Sequence, residues 1–184
     1  EDVRSVVLSK GGLLESMRPG STIVDHTTTS SDLAKEMFAA SNRKEINFID
    51  APVSGGQVGA EKGVLTVMAG GENSAYKGIE SIIRVYSKHS QLMGESGSGQ
   101  LTKMVNQICL AGLIQGLAEG LNFSERAGLN SLEVINVISK GAAQSWQMDN
   151  RAESMLEDFY EHGFAVDLMR KDLGIAIKEA NKNN

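Results

Sequence analysis

The sequence predicts an α/β region followed by an all-helical one. From residue 21 to about 95, short β-rich runs bounded by Gly, Pro, Asp or Ser alternate with amphipathic helical patterns. From about residue 98 the β signal stops, and the apolar periodicity that remains is helical. The change falls at Gly97–Gly99, which divides the chain into expected regions 1–97 and 98–184.

The strand candidates, in order, are "STIVD" (21–25), "INFIDAPV" (46–53), "GVLTVMAGG" (63–71) and "SQLMG" (90–94). Between them, "SSDLAKEMFAASNRK" opens on Ser30 or Ser31 as a helix cap and lines up Leu33, Met37 and Ala40 on one face. "NSAYKGIESIIRVYS" does the same with Tyr76, Ile79 and Ile83. "QLTKMVNQICLAGLIQGLAEGLNFSERAG" supports a helix of about seven turns ending near Gly128. "NSLEVINVISKG" follows, with Asn130 and Glu133 spaced as a capping box and Gly141 as a stop. The tail "GFAVDLMRKDLGIAIKEANKNN" has helical periodicity through Leu168, Leu173, Ile177 and Ala180. In the long helix Gly112, Gly116 and Gly120 share one face, a pattern open to packing by a partner subunit or by another helix of this chain.

Composition narrows the function classes. A formal net charge of −5 and a pI near 5.3 argue against a nucleic-acid or anionic-membrane surface, which clustered Lys and Arg would serve, and fit a small metabolite better. The longest apolar region, 101–121, is interrupted by Lys103, Asn106, Gln107, Gln115 and Glu119 and does not read as a membrane span. Cys109 stands alone in an apolar helical run, which predicts a buried, inert thiol and rules out an intramolecular disulfide. His26, His89 and His162 are too scattered in sequence for metal-ligand spacing. The opening "EDVRSVVLSKGG" carries no signal-peptide pattern.

Four stretches could carry chemistry. In "DAPVSGGQVGAEKG" the chain passes from an apolar strand into Ser54, Gly55 and Gly56, at the carboxyl end where open α/β sheets bind ligands. Backbone N–H groups freed by these glycines, with the Ser54 hydroxyl, suit a carboxylate or phosphate; a plain glycine turn has the same sequence. In "GSGQLTKMVNQ", Lys103, Asn106 and Gln107 share a helix face, and a lysine among Leu101, Met104, Val105 and Ile108 is either desolvated into a useful acid or base or snorkels to solvent. "TTTS" follows the first strand; a cap explains Ser30 and Ser31 but not three threonines. "GFAVDLMRKD" places Phe164, Lys171 and Asp172 about two helical turns apart.

In this order and spacing, "VDHTTTS", "DAPVSGGQVGAEKGVLTVMAGG", "GSGQLTKMVNQ" and "FAVDLMRKDL" resemble the β-hydroxyacid dehydrogenase family, over residues 19–174. The resemblance implies a Rossmann-like portion followed by an all-helical domain for substrate binding and dimerisation. It implies an NAD- or NADP-dependent oxidoreductase acting on a short β-hydroxy acid, semialdehyde or oxo-acid, without a metal. Carried over by motif, Lys103 is the catalytic lysine. Ser54, Gly55 and Gly56 cradle the substrate carboxylate, and Asn106, Gln107, Phe164 and Asp172 complete the substrate site. Thr28 and Lys171 contact the cofactor. Asn106-Gln107 departs from the family's Asn pair, leaving open which amide touches substrate. The family also opens with a strand, a G-x-G-x-x-G-type loop and a helix and ends with further helices, none of which these residues match, so the chain reads as an internal piece of a longer enzyme. A homo-oligomer, dimer or tetramer, formed through the helical domain and a cytoplasmic or mitochondrial location are the implied setting. A 6-phosphogluconate dehydrogenase-like enzyme is the nearest alternative; its lysine helix has His-Asn where this chain has Asn106-Gln107. A non-catalytic oligomerisation or binding module of the same fold is another.

Overall fold

Neighbouring residues of a strand point to opposite faces, and in β2 (Asn47–Asp50) this sends Phe48 into one apolar layer and Ile49 into another. The computed structural model describes residues 2–161 and 164–182. Phe48 packs with Val7 of α1 (Asp2–Leu8), Ile23 of β1 (Thr22–Asp25) and Leu33, Ala34 and Met37 of α3 (Ser31–Asn42). Ile49 packs with Val67 and Ala69 of β4 (Leu65–Ala69) and with Tyr76, Ile79 and Ile83 of α5 (Asn73–Tyr86). The result is helix, sheet, helix, as the alternating pattern predicts. The helix faces expected from Leu33, Met37, Tyr76, Ile79 and Ile83 are the buried ones, and Ser30 caps α3 by accepting from Leu33 N at 3.2 Å. A short α2 spans Leu13–Ser16.

The run expected as one strand over 46–53 changes partners midway. β2 pairs parallel with β1, Asp25 opposite Asp50, and Ala51 N still donates to Asp25 O at 2.8 Å. Pro52 has no N–H to continue. Its carbonyl instead accepts from Met68 N at 3.0 Å, and β3 (Val53–Ser54) pairs antiparallel with β4. An isolated bridge between Asp50 and Gly70 joins the two pairings. β5 (Ser87–Leu92) pairs parallel with β4 and begins directly after α5, three residues before the expected run. Its polar start, "SKH", suits a strand with β4 on one side only, since charged side chains are common on sheet edges. Gly56–Glu61 form α4, a short helix.

The chain divides into two compact units, Glu1–Asn106 with Val166–Asn184, and Gln107–Ala165. The long α6 (Ser98–Arg126) contributes its first turns to the first unit and the rest to the second. In the second, Leu117 and Leu121 of α6 pack with Met148 and Ala152 of α8 (Trp146–Leu156), beside Ile135 of α7 (Ser131–Ile138). Asn130 caps α7 by accepting from Glu133 N at 3.3 Å, half of the expected capping box. In α9 (Val166–Ala180) the buried residues are Asp172 and Ala176, while Leu168 and Ile177, expected on the inner face, are exposed. Cys109 is likewise exposed, correcting the buried thiol expected from its apolar neighbours, because Val105 and Ile108 on that side of α6 also face outward. A Cβ at Gly112, Gly116 or Gly120 would meet nothing within 4 Å among the described residues, so none of these glycines is required by a close intrachain contact.

Gly99 is different, because a Cβ there would collide with the carbonyl oxygens of Met68 and Asp50. Gly99→Ala is therefore expected to lower stability in urea denaturation by about 1–3 kcal/mol or more, the usual cost of overpacking. Gly78→Ala, on the exposed side of α5, is expected to leave stability unchanged or raise it by up to about 1 kcal/mol.

Candidate active site

The first unit's site is built around Asp50, the last residue of β2 and fully buried. Its carboxylate accepts from Gly97 N at 2.7 Å and Gln100 N at 3.0 Å, the unsatisfied donors that open α6. Ser96 Oγ lies 3.5 Å away. Burial pushes the Asp50 carboxyl up to about 6, against the backbone N–H groups of Gly97 and Gln100, which pull it down. This anchor aims α6 so that its polar side faces inward. Gln100, Lys103 and Gln107 are buried while Leu101, Val105 and Ile108 are exposed, the reverse of what an apolar-face argument expects.

Lys103, 6% exposed, follows from that inversion, and its Nζ donates to Val53 O at 2.9 Å. Burial lowers its pKa, the negative charge of Asp172 opposes that, and the positive charge of Lys171 adds to it. Desolvation therefore comes from Lys103's place in the fold, not from the apolar neighbours in sequence, of which only Met104 is buried. One residue beyond Val53 the chain enters Ser54, half-buried, then Gly55 and Gly56, both exposed. Their φ values of 134° and 62° are open to glycine and strained for other residues.

The threonine loop after β1 is held by Gln100. Its Nε2 donates to Thr27 O at 2.8 Å and its Oε1 accepts from Thr29 N at 2.9 Å. Lys171 Nζ donates to Thr28 O at 2.9 Å and stands 3.1 Å from Asp172 Oδ1. Asp172 is buried and Lys171 is half-exposed. Lys103, the Val53–Gly56 segment, Thr28, Lys171 and Asp172 are thus linked by contact or charge within the first unit. Asn106 is half-buried, one turn after Lys103. Gln107, buried, and Phe164, exposed, belong to the second unit. Of the histidines, His162 lies outside the described residues.

Asp50 and Gln100 sit inside the quoted motifs yet had no role assigned from sequence. The available signal was polarity out of place: an acid closing the apolar "INFID", and a glutamine two residues after Ser98 at the start of a helix.

A family model described as the NAD binding domain of 6-phosphogluconate dehydrogenase matches residues 1–95, just over half of the chain. A second, described as NAD-binding of NADP-dependent 3-hydroxyisobutyrate dehydrogenase, matches residues 97–184. The chain belongs to the β-hydroxyacid dehydrogenase family. An uncharacterized oxidoreductase of Shewanella frigidimarina is 56% identical over 183 residues, covering all of this chain and 63% of that protein. The crystal structure of a 3-hydroxyisobutyrate dehydrogenase from Salmonella typhimurium superposes with a TM-score of 0.87 at 33% identity, covering 98% of this chain and 63% of the other. A Mycobacterium tuberculosis 3-hydroxyisobutyrate dehydrogenase, solved with L-serine, gives 0.83 at 28% identity over 92% of this chain and 61% of its own. This β-hydroxyacid dehydrogenase chain therefore spans less than two-thirds of the length of these relatives. The two matched stretches meet at Ser96, inside the turn that delivers N–H donors to Asp50.

Asp50→Ala is expected to cost about 1–3 kcal/mol for each buried N–H left without an acceptor, measured by urea denaturation near neutral pH. The native carboxyl titrates higher than the ordinary value of 3.8, so the part of its stability linked to protonation is fully present below about 3.8 and is lost as pH rises through about 6, while its oxygens still accept from Gly97 N and Gln100 N. Denaturation between pH 4 and 7 should show this slope in the wild type and its loss in Asp50→Asn.

Proposed function

We propose that this chain forms the substrate and proton-transfer part of an NAD(P)-dependent oxidoreductase acting on a short β-hydroxy acid and its semialdehyde or oxo-acid partner. The observation that carries the reading is Lys103, an amine buried beside the glycine-rich Val53–Gly56 segment and under the opposed influences of Asp172 and Lys171. Burial lowers the Lys103 pKa and so makes its proton easier to give up and take back, as acid–base catalysis requires. In reduction, Lys103 as ammonium stabilises the negative charge growing on the carbonyl oxygen and then donates a proton to it; in oxidation, the neutral amine removes the hydroxyl proton.

Ser54 and the backbone N–H groups of Gly55 and Gly56 hold the substrate carboxylate, with Asn106 one turn beyond Lys103. The residues at the threonine loop fit the nicotinamide end of a dinucleotide. Thr29 Oγ1 is buried there with no hydrogen-bond partner among the described residues. Thr28 and Lys171 would hold that end. When bound, the cofactor supplies or accepts the hydride. The helical unit is the proposed contact for a second copy, through the α6 face that carries Gly112, Gly116 and Gly120.

In the full-length protein, Lys103→Ala is expected to lower turnover by about two to four orders of magnitude, the usual loss when a positioned acid or base is removed, without loss of fold by circular dichroism. Retention of more than about a tenth of the activity would overturn the assignment. Because burial lowers the Lys103 pKa, reduction should slow and oxidation should quicken as pH rises through a midpoint below that of a free lysine, and Lys103→Arg should abolish that limb in both directions.

The carboxylate reading is tested separately. Glyoxylate or succinic semialdehyde should be reduced with far higher kcat/KM than an aldehyde of similar size lacking the acid. Equal values, or a strong preference for a phosphorylated sugar acid, would favour the 6-phosphogluconate dehydrogenase-like alternative.

A further inference from the structure

The parallel ladder between β1 and β2 ends one rung early. With Asp25 opposite Asp50 and Ala51 N donating to Asp25 O, the next rung of a parallel pair would be Thr27 N donating to Ala51 O. Instead Thr27 N turns back to Asp25 Oδ1 at 2.9 Å. The acceptor left behind, Ala51 O, meets His26 Nδ1 at 2.6 Å. Facing a carbonyl, Nδ1 must carry the proton, which leaves the other ring nitrogen of the neutral imidazole as an acceptor. Tyr86 supplies that donor from the last residue of α5, with Oη 3.0 Å from Nε2 and the two rings edge to face at 5.5 Å.

We infer that His26 is a positioning residue of the candidate site: its imidazole replaces a backbone rung, so that the Thr27–Thr29 loop can leave the sheet and reach Gln100 and Lys171. Residues 27–29 cannot both continue the ladder and make the contacts observed, because the groups that would face β2 next, Thr27 O and Thr29 N, are both committed to the Gln100 side chain. Ala51 O would otherwise be a carbonyl without its ladder partner, two residues before the carbonyl that holds Lys103. Tyr86 fixes the ring from the far side, so one side chain ties β1, the β2–β3 segment and α5 together where the loop departs. The catalytic half of this inference rests on the hydride-transfer reading above; the geometric half does not.

Two readouts test it without turnover. Long-range proton–nitrogen correlation on the full-length protein labelled at histidine should find His26 as the Nδ1–H tautomer, with Tyr86→Phe perturbing Nε2 only; an Nε2–H tautomer overturns the inference. Amide hydrogen exchange at Thr29 should accelerate in His26→Ala and His26→Gln. It should return to the wild-type rate in His26→Asn, whose side-chain amide can occupy the place of Nδ1–H. Equal exchange in all four proteins, or no rescue by asparagine, overturns it. If the acids above are turned over, kcat should fall about tenfold or more in the first two variants and recover to within about threefold in the third, as expected for misplaced site residues. A protein that reduces none of them sinks the proposed activity while the tautomer and exchange data still decide the role of His26.

Discussion

The structure of the first unit depends on one buried carboxylate meeting the N-terminus of one long helix. Asp50 ends β2, and the N–H groups of Gly97 and Gln100, at the start of α6, donate to its carboxylate for want of a partner within the helix. Neither group could be buried alone, since a charge away from water and an orphaned donor each cost several kcal/mol. Together they are stable, helped by the partial positive charge of the helix end. The contact tolerates no side chain around it. A Cβ at Gly70 would stand 2.7 Å from Asp50 Oδ1, and one at Gly99 would strike the Asp50 carbonyl at 2.5 Å. The glycines flanking this junction are therefore consequences of the anchor.

What the anchor fixes is the rotation of α6 about its own axis. With Gln100 N held by Asp50, the Gln100 side chain reaches the threonine loop and Lys103, one turn on, reaches Val53 O. A polar side of the helix is thereby buried, which is favourable only because its groups find partners. The exposed Leu101, Val105 and Ile108 are the other side of the same choice.

Charge is arranged with similar economy. Asp172 is a second buried carboxylate, in ion-pair contact with Lys171 and acting through charge on Lys103. The family membership and the high structural similarity to 3-hydroxyisobutyrate dehydrogenases agree with a fold that brings α9, at the far end of the sequence, back to the threonine loop after β1.

The sequence by itself determined the α/β-then-helical order, the inner faces of α3 and α5, and the caps at Ser30 and Asn130, because these depend on residues within a turn or two of one another. Motif order likewise gave the family and the segments of the candidate site. It did not determine where "INFIDAPV" changes partner, which side of α6 or α9 faces inward, or that Cys109 is exposed. Those outcomes depend on partners far along the chain. Asp50 and Gln100 are 50 residues apart, Lys103 and Val53 also 50, and Lys171 and Thr28 143. Periodicity predicts an apolar side inward because burial of apolar surface is the commonest gain. In α6 and α9 that gain was outweighed locally by satisfying buried polar groups, a requirement visible only once the tertiary structure has put donor and acceptor together.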